Sequence, residues 1–109
     1  MNREEILKDR YSEKFDKLRQ NRMIMGHYRY GPLKENCLPG MVDTIASLEK
    51  RLDAYKRTGN TEFLTDVANF AMIEFMYPQH PEAHFKATEH DEGPGIVGVS
   101  VRDLEKLAE

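Results

Sequence analysis

Thr58-Gly59-Asn60-Thr61-Glu62-Phe63-Leu64-Thr65-Asp66-Val67-Ala68-Asn69-Phe70 is the stretch on which the fold turns, because it sets a breaker directly in front of a helix-forming run. Gly59 can take the left-handed conformation that closes a preceding helix. Asn60 or Thr61 can cap the next one, with Glu62 favourably placed in its first turn. So short a link makes the two helices antiparallel neighbours. A helical hairpin is therefore expected.

Downstream, the helix is expected to run over about 61–76 and to stop before Pro78. Phe63, Leu64, Val67, Ala68, Phe70, Ala71, Met72, Ile73, Phe75 and Met76 cover most of its circumference. A helix apolar nearly all round belongs at the centre of a core. Its polar interruption is the stripe Glu62, Asp66 and Asn69, at i, i+4 and i+7. Upstream, a helix is expected from Leu38 or Pro39 to Tyr55, with Asn36 as its N-cap and Pro39 tolerated in the first turn. Met41, Ile45, Leu48, Leu52 and Tyr55 give it an apolar seam, and Lys56-Arg57 complement the dipole at its end.

Working outward, residues 3–25 read as one long N-terminal helix with Leu7, Tyr11, Phe15, Leu18 and Met25 on one face. Gly26 ends that pattern, and His27-Tyr28-Arg29-Tyr30-Gly31-Pro32 reads as a loop. Residues 77–99 hold Pro78, Pro81, Gly93, Pro94, Gly95 and Gly98, which predicts an irregular segment packed back through Tyr77, Phe85, Ile96 and Val97. Ser100-Val101-Arg102-Asp103 then starts a short last helix carrying Leu104 and Leu107. The whole is expected to be a single, mainly all-α domain over 1–109: N-terminal helix 1–25, hairpin 38–76, and 77–109 as extended segment and short helix. A chain of 109 residues is of single-domain size.

Charge is unevenly spread. Residues 1–31 hold eight Lys/Arg against five Asp/Glu, residues 32–76 five against seven, and residues 77–109 three against seven. The net charge of −3 argues against a dedicated nucleic-acid binder, which is usually basic as a domain. Cys37 is the only cysteine, so no intramolecular disulfide forms and a reducing compartment is expected. The charged N-terminal residues and the lack of a long apolar run predict no signal peptide, no membrane span and a cytoplasmic location. There is no Walker-type phosphate loop, dinucleotide fingerprint or nucleophile elbow.

Folding the hairpin at Gly59 would bring Glu49 and Asp53, i and i+4 on one helix, beside Glu62 and Asp66 on the other. Several carboxylates converging in this way repel one another unless a cation sits between them, and oxygen-rich sites suit Mg²⁺. Arg29 or Lys34 would then meet a substrate's phosphates. The competing reading leaves Glu49 and Asp53 in solvent and pairs Asp66 and Asn69 with Arg29, Lys34 or backbone, since a carboxylate on an apolar helix needs a partner. His80 and His84 are four apart, but Pro81 between them spoils a helical display, so packing roles are expected for both. Tyr28 and Tyr30 read as core rim.

The run 58–76, with Pro78, His80, Pro81 and Ala83-His84-Phe85 after it, resembles a set of small proteins encoded by phages and prophages of Gram-positive bacteria. The resemblance covers roughly residues 29–98 and implies a mobile-element accessory protein in a bacterial host. A short acidic chain of that kind, without a catalytic motif, suits an inhibitor that occupies a host defence protein. Anti-CRISPR proteins, Cas9 inhibitors among them, have this general form. Glu89, Asp91 and Glu92 would then compete for a basic groove on the partner, and no cofactor is needed. Sequestration of a nucleotide signal by a pocket between helices is a variant of the same idea. More distantly, Glu62, Asp66-Val67 and the following apolar run resemble the second motif of the MazG-like all-α nucleotide pyrophosphohydrolases. That likeness implies a Mg²⁺-dependent enzyme with metal on Glu49, Asp53, Glu62 and Asp66. The first MazG motif spaces two glutamates by two residues, whereas Glu49 and Asp53 are four apart. Homodimerisation through the hairpin would cover the apolar helix, and both readings accommodate it.

Overall fold

A computed structural model of the chain describes residues 1–38 and 41–88. These form five helices: α1 (Arg3–Arg10), α2 (Glu13–Tyr30), α3 (Leu33–Asn36), α4 (Thr44–Thr58) and α5 (Glu62–Met76). Among the described residues there is no strand, so the fold is all-α as expected. The chain divides into two compact units, one of Tyr11–Pro81 and one of Met1–Arg10 with Glu82–Glu109. The second unit contributes α1 and, among its described C-terminal residues, a turn at Glu82 followed by irregular chain. The last helix expected from Ser100, and the packing of Ile96 and Val97, lie outside the described residues.

Tyr11–Pro81 is built on the α4–α5 hairpin, with α2 packed on α5. The turn behaves as its residues dictate. Gly59 is left-handed at φ 71°, and its N–H donates to the Tyr55 carbonyl at 2.7 Å. The cap of α5 comes from Asn60, whose Oδ1 accepts from the Glu62 N–H at 3.0 Å, while Thr61 makes no side-chain cap bond. α4 begins later than expected. Asp43 is its N-cap, accepting from the Ala46 N–H, and Asn36 instead closes the short α3 by donating to the Tyr30 and Pro32 carbonyls.

The expected N-terminal helix is divided at Tyr11-Ser12. The Ser12 hydroxyl accepts from the Phe15 N–H at 3.0 Å, the geometry of an N-cap, so a new helix starts there although the apolar spacing runs straight through. α2 then passes Gly26, where a stop was expected. One glycine costs a helix about 1 kcal/mol, too little to break eighteen residues. The end comes at Gly31, at φ 82° and before Pro32. Ser12→Ala is expected to cost about 1 kcal/mol, read as a lower denaturation midpoint with little change in slope.

The orientation of the helices departs most from the sequence pattern. On α5 the buried residues are Thr65, Asp66, Asn69 and Ile73, so Asp66 and Asn69 of the polar stripe face inward while Glu62 is exposed and Phe75 is 72% exposed. On α2, Leu18 and Met25 are exposed, and the half-buried positions are Asp16, Arg19, Met23 and Gly26. Of the seam expected for α4, Met41 lies before the helix and is exposed, as is Ile45 within it, while Thr44 and Ala54 are buried. Ala54 and Ile73 are the buried hydrophobic residues among those described. No helix among the described residues is long and apolar enough to cross a membrane.

Candidate functional site

The inward stripe of α5 meets a matching stripe of α2. Arg22 Nε donates to Asp66 Oδ1 at 2.7 Å and Nη2 to Asp66 Oδ2 at 3.2 Å, a fork-to-fork pair. Arg22 Nη1 reaches Glu62 Oε1 at 3.0 Å. From α4, Arg51 Nε approaches Asp66 Oδ2 at 3.5 Å. Asp66 thus stands between guanidinium groups from two helices. The pair also favours the charged guanidinium, raising Arg22 from its ordinary pKa through the hydrogen bond to Asp66, against the opposing effect of burial. One turn on, Asn69 Nδ2 donates to the Arg19 carbonyl at 2.9 Å.

At the other end of the hairpin, the Thr44 hydroxyl donates to Glu74 Oε1, and the Gln79 N–H donates to Glu74 Oε2 at 2.8 Å. Gln79 Nε2 closes the staple on the Val42 carbonyl. These donors, Thr44 first, then the backbone N–H groups of Gln79 and His80, hold the Glu74 carboxyl below its usual range. A depressed carboxylate binds fewer protons folded than unfolded. Its stabilisation is therefore fully present above the unfolded pKa of about 4.3 and is lost as pH falls through the lower folded value. Denaturation midpoints measured from pH 7 to pH 3 should fall across that window, and Thr44→Val should flatten the fall.

Between these two clusters α2, α3, α4 and α5 line an open cavity of about 580 Å³. Among the described residues its charged lining is Arg22, Arg29 and Arg51 against the single carboxylate of Asp66. His27, Thr44, Ser47 and Asn69 add polar groups, while Tyr30, Phe70, Met23 and Ile73 supply apolar wall. The three arginines are not equally committed. Arg22 spends all of its nitrogens on Asp66 and Glu62. Arg51 makes one long contact through Nε, and Arg29 has no ion-pair partner among the described residues. Cys37 also lines the cavity as a free thiol, its pKa raised by burial and by the nearby charge of Glu74.

Of the residues singled out from sequence, Arg29 and Asp66 line this cavity and Lys34 does not. Glu49 and Asp53 are exposed on α4, and Glu62 is exposed with Arg22 as its partner. Among the described residues no three His, Cys, Asp or Glu side chains form a group able to hold a metal ion, so the four hairpin carboxylates are not gathered into one site. The pairing of Asp66 is with Arg22 and Arg51 rather than with Arg29 or Lys34. Glu89, Asp91 and Glu92 lie outside the described residues. Arg22, Arg51, Thr44 and Glu74 carry no sequence motif and emerge only from the packing. No known family model, curated protein or solved structure matches the chain.

Proposed function

We propose that this chain is a phage-type accessory protein that acts by binding, and that it holds a small anionic molecule of nucleotide class in the cavity between α2, α4 and α5. In a bacterial host such a protein would oppose defence by removing a nucleotide signal. The observation that carries the reading is the charge balance of the cavity, three arginines to one carboxylate among the described residues, with Arg29 and most of Arg51 left unspent. A cavity of this volume is within the range of about 300–1,000 Å³ typical of small-molecule sites. Guanidinium groups suit phosphate because their planar fork matches two of its oxygens. The carboxylate present is already paired with Arg22 and Arg51, which offsets part of its repulsion of an incoming anion.

Binding and turnover are separated by one experiment. The protein is titrated calorimetrically with pyrophosphate and with mono-, di- and cyclic nucleotides, with and without Mg²⁺, and each mixture is then resolved by ion-exchange chromatography. The expected result is saturable one-to-one binding that weakens as salt rises, with the ligand recovered intact. Mg²⁺-dependent release of pyrophosphate would replace this reading with the pyrophosphohydrolase one. Silence from every anion would remove the site.

A further inference from the structure

Gly26 stands inside α2 (Glu13–Tyr30), where alanine would make the firmer helix. Its backbone is not left-handed, so no turn requires a glycine there. Among the described residues, a Cβ added to it would meet nothing within 4 Å, so no neighbour excludes a side chain either. What lies in front of it is the cavity. On a helix, residues three and four places apart share a face. Arg22, Met23, Arg29 and Tyr30 stand at i−4, i−3, i+3 and i+4 from Gly26, and all of them line the cavity, as Gly26 does. A side chain at this position would therefore project into that space. Arg22 and Arg29 are two turns apart, about 10 Å along the axis of α2, and the wall midway between them is bare backbone.

We infer that Gly26 holds open the nucleoside part of this cavity: the heterocyclic base of the bound nucleotide lies against the bare backbone of α2 at Gly26, and its phosphate lies on Arg29 and Arg51. The inference rests on the anion-binding reading above and adds to it the residue that admits the organic part of the ligand. Backbone N–H groups inside a helix are spent on the helix's own carbonyls, so an anion gains nothing by lying at Gly26. A flat ring gains close contact there, with the peptide surface beneath it and with Met23 and Tyr30 beside it. Glycine is the residue that lets a ligand come this near to a backbone. The stability that α2 forgoes is of the kind given up at binding sites.

The test compares Gly26→Ala and Gly26→Leu with the wild-type chain, by thermal denaturation and by calorimetric titration of AMP, GMP and pyrophosphate. Gly26→Ala should melt about 2–8 °C higher, because the helix gains and nothing is displaced. Gly26→Leu should bind the tighter of AMP and GMP about tenfold or more weakly than wild type, and pyrophosphate should weaken far less. A firmer helix with weaker nucleotide binding is not what a packing glycine gives. If Gly26→Leu does not fold, the same difference between nucleotide and pyrophosphate, smaller in size, is read in Gly26→Ala. A lower melting temperature in Gly26→Ala would mean that the fold itself needs the glycine, and overturns the inference. Unchanged nucleotide affinity in Gly26→Leu, or equal loss of nucleotide and pyrophosphate, overturns it too and leaves the anion site standing. Silence from all three ligands in the wild-type chain overturns both.

Discussion

Asp66→Ala should lower the melting temperature of this protein by about 10 °C, the largest single-residue effect expected within Tyr11–Pro81. The figure follows from where the ion pair lies. Exposed pairs contribute about 0.2–1 kcal/mol, and breaking a fully buried one costs about 3–5 kcal/mol. The Asp66 side chain is 12% exposed and that of Arg22 39%, so the pair falls between these limits, at about 2 kcal/mol. For a chain of this size each kcal/mol moves the midpoint by roughly 4–8 °C. The substitution also leaves Arg51 without its ion pair and Arg22 with Glu62 alone. A double-mutant cycle with Arg22→Ala isolates the pairing itself. Coupling above about 1 kcal/mol is expected for a fork-to-fork pair, and additivity within about 0.3 kcal/mol would mean that α2 is held by other contacts.

The second large effect is on binding rather than on stability. Arg29→Glu should weaken nucleotide or pyrophosphate affinity by about ten- to a hundredfold. Two unit charges at 4 Å interact by about 1 kcal/mol in water and more beside a protein surface, and the substitution changes two charges at once. Each 1.4 kcal/mol is a factor of ten in affinity. Stability should stay within about 0.5 kcal/mol of wild type, because Arg29 is exposed and holds no ion pair among the described residues. Lys34→Glu is the matched control: it makes the same charge change on α3 at a residue that does not line the cavity. Equal weakening in the two variants would reduce the effect to net charge and argue against a located site.

The contrast between Arg29 and Lys34 shows how far the sequence could be read. Both are cations near the hairpin, and nothing in their neighbours separates them. Only the extension of α2 past Gly26 to Tyr30 puts Arg29 on the cavity wall, and a helix that absorbs a glycine leaves no local mark. The hairpin was legible for the opposite reason. Gly59 followed by Asn60 imposes its conformation through backbone sterics and one cap bond, whatever lies elsewhere. Ser12 carries the same kind of local signal, but it was masked by apolar residues whose spacing continues across it.

The facing of α5 was not legible from its own residues. A helix apolar nearly all round has no preferred side by hydrophobicity, so its few polar groups decide the outcome through their partners. Those partners are Arg19 and Arg22, more than forty positions away in the sequence. One signal could have found them. Arg19 and Arg22 are spaced i, i+3 on α2, as Asp66 and Asn69 are on α5, and two helices with matching polar pairs can satisfy each other in a shared interior. The same burial turns four carboxylates that read as a metal cluster into one paired aspartate, one surface glutamate pair and two exposed residues of α4.

The most direct test of the cavity follows side-chain N–H resonances by ¹H–¹⁵N NMR while AMP or GMP is added to labelled protein. The Nε–H signals of Arg51 and Arg29 should shift together along one saturable isotherm, with little change in backbone signals at Leu18 or Phe75 on the exposed faces. Shifts confined to those outer faces, or none at the arginines at saturating ligand, would contradict a nucleotide site between α2, α4 and α5.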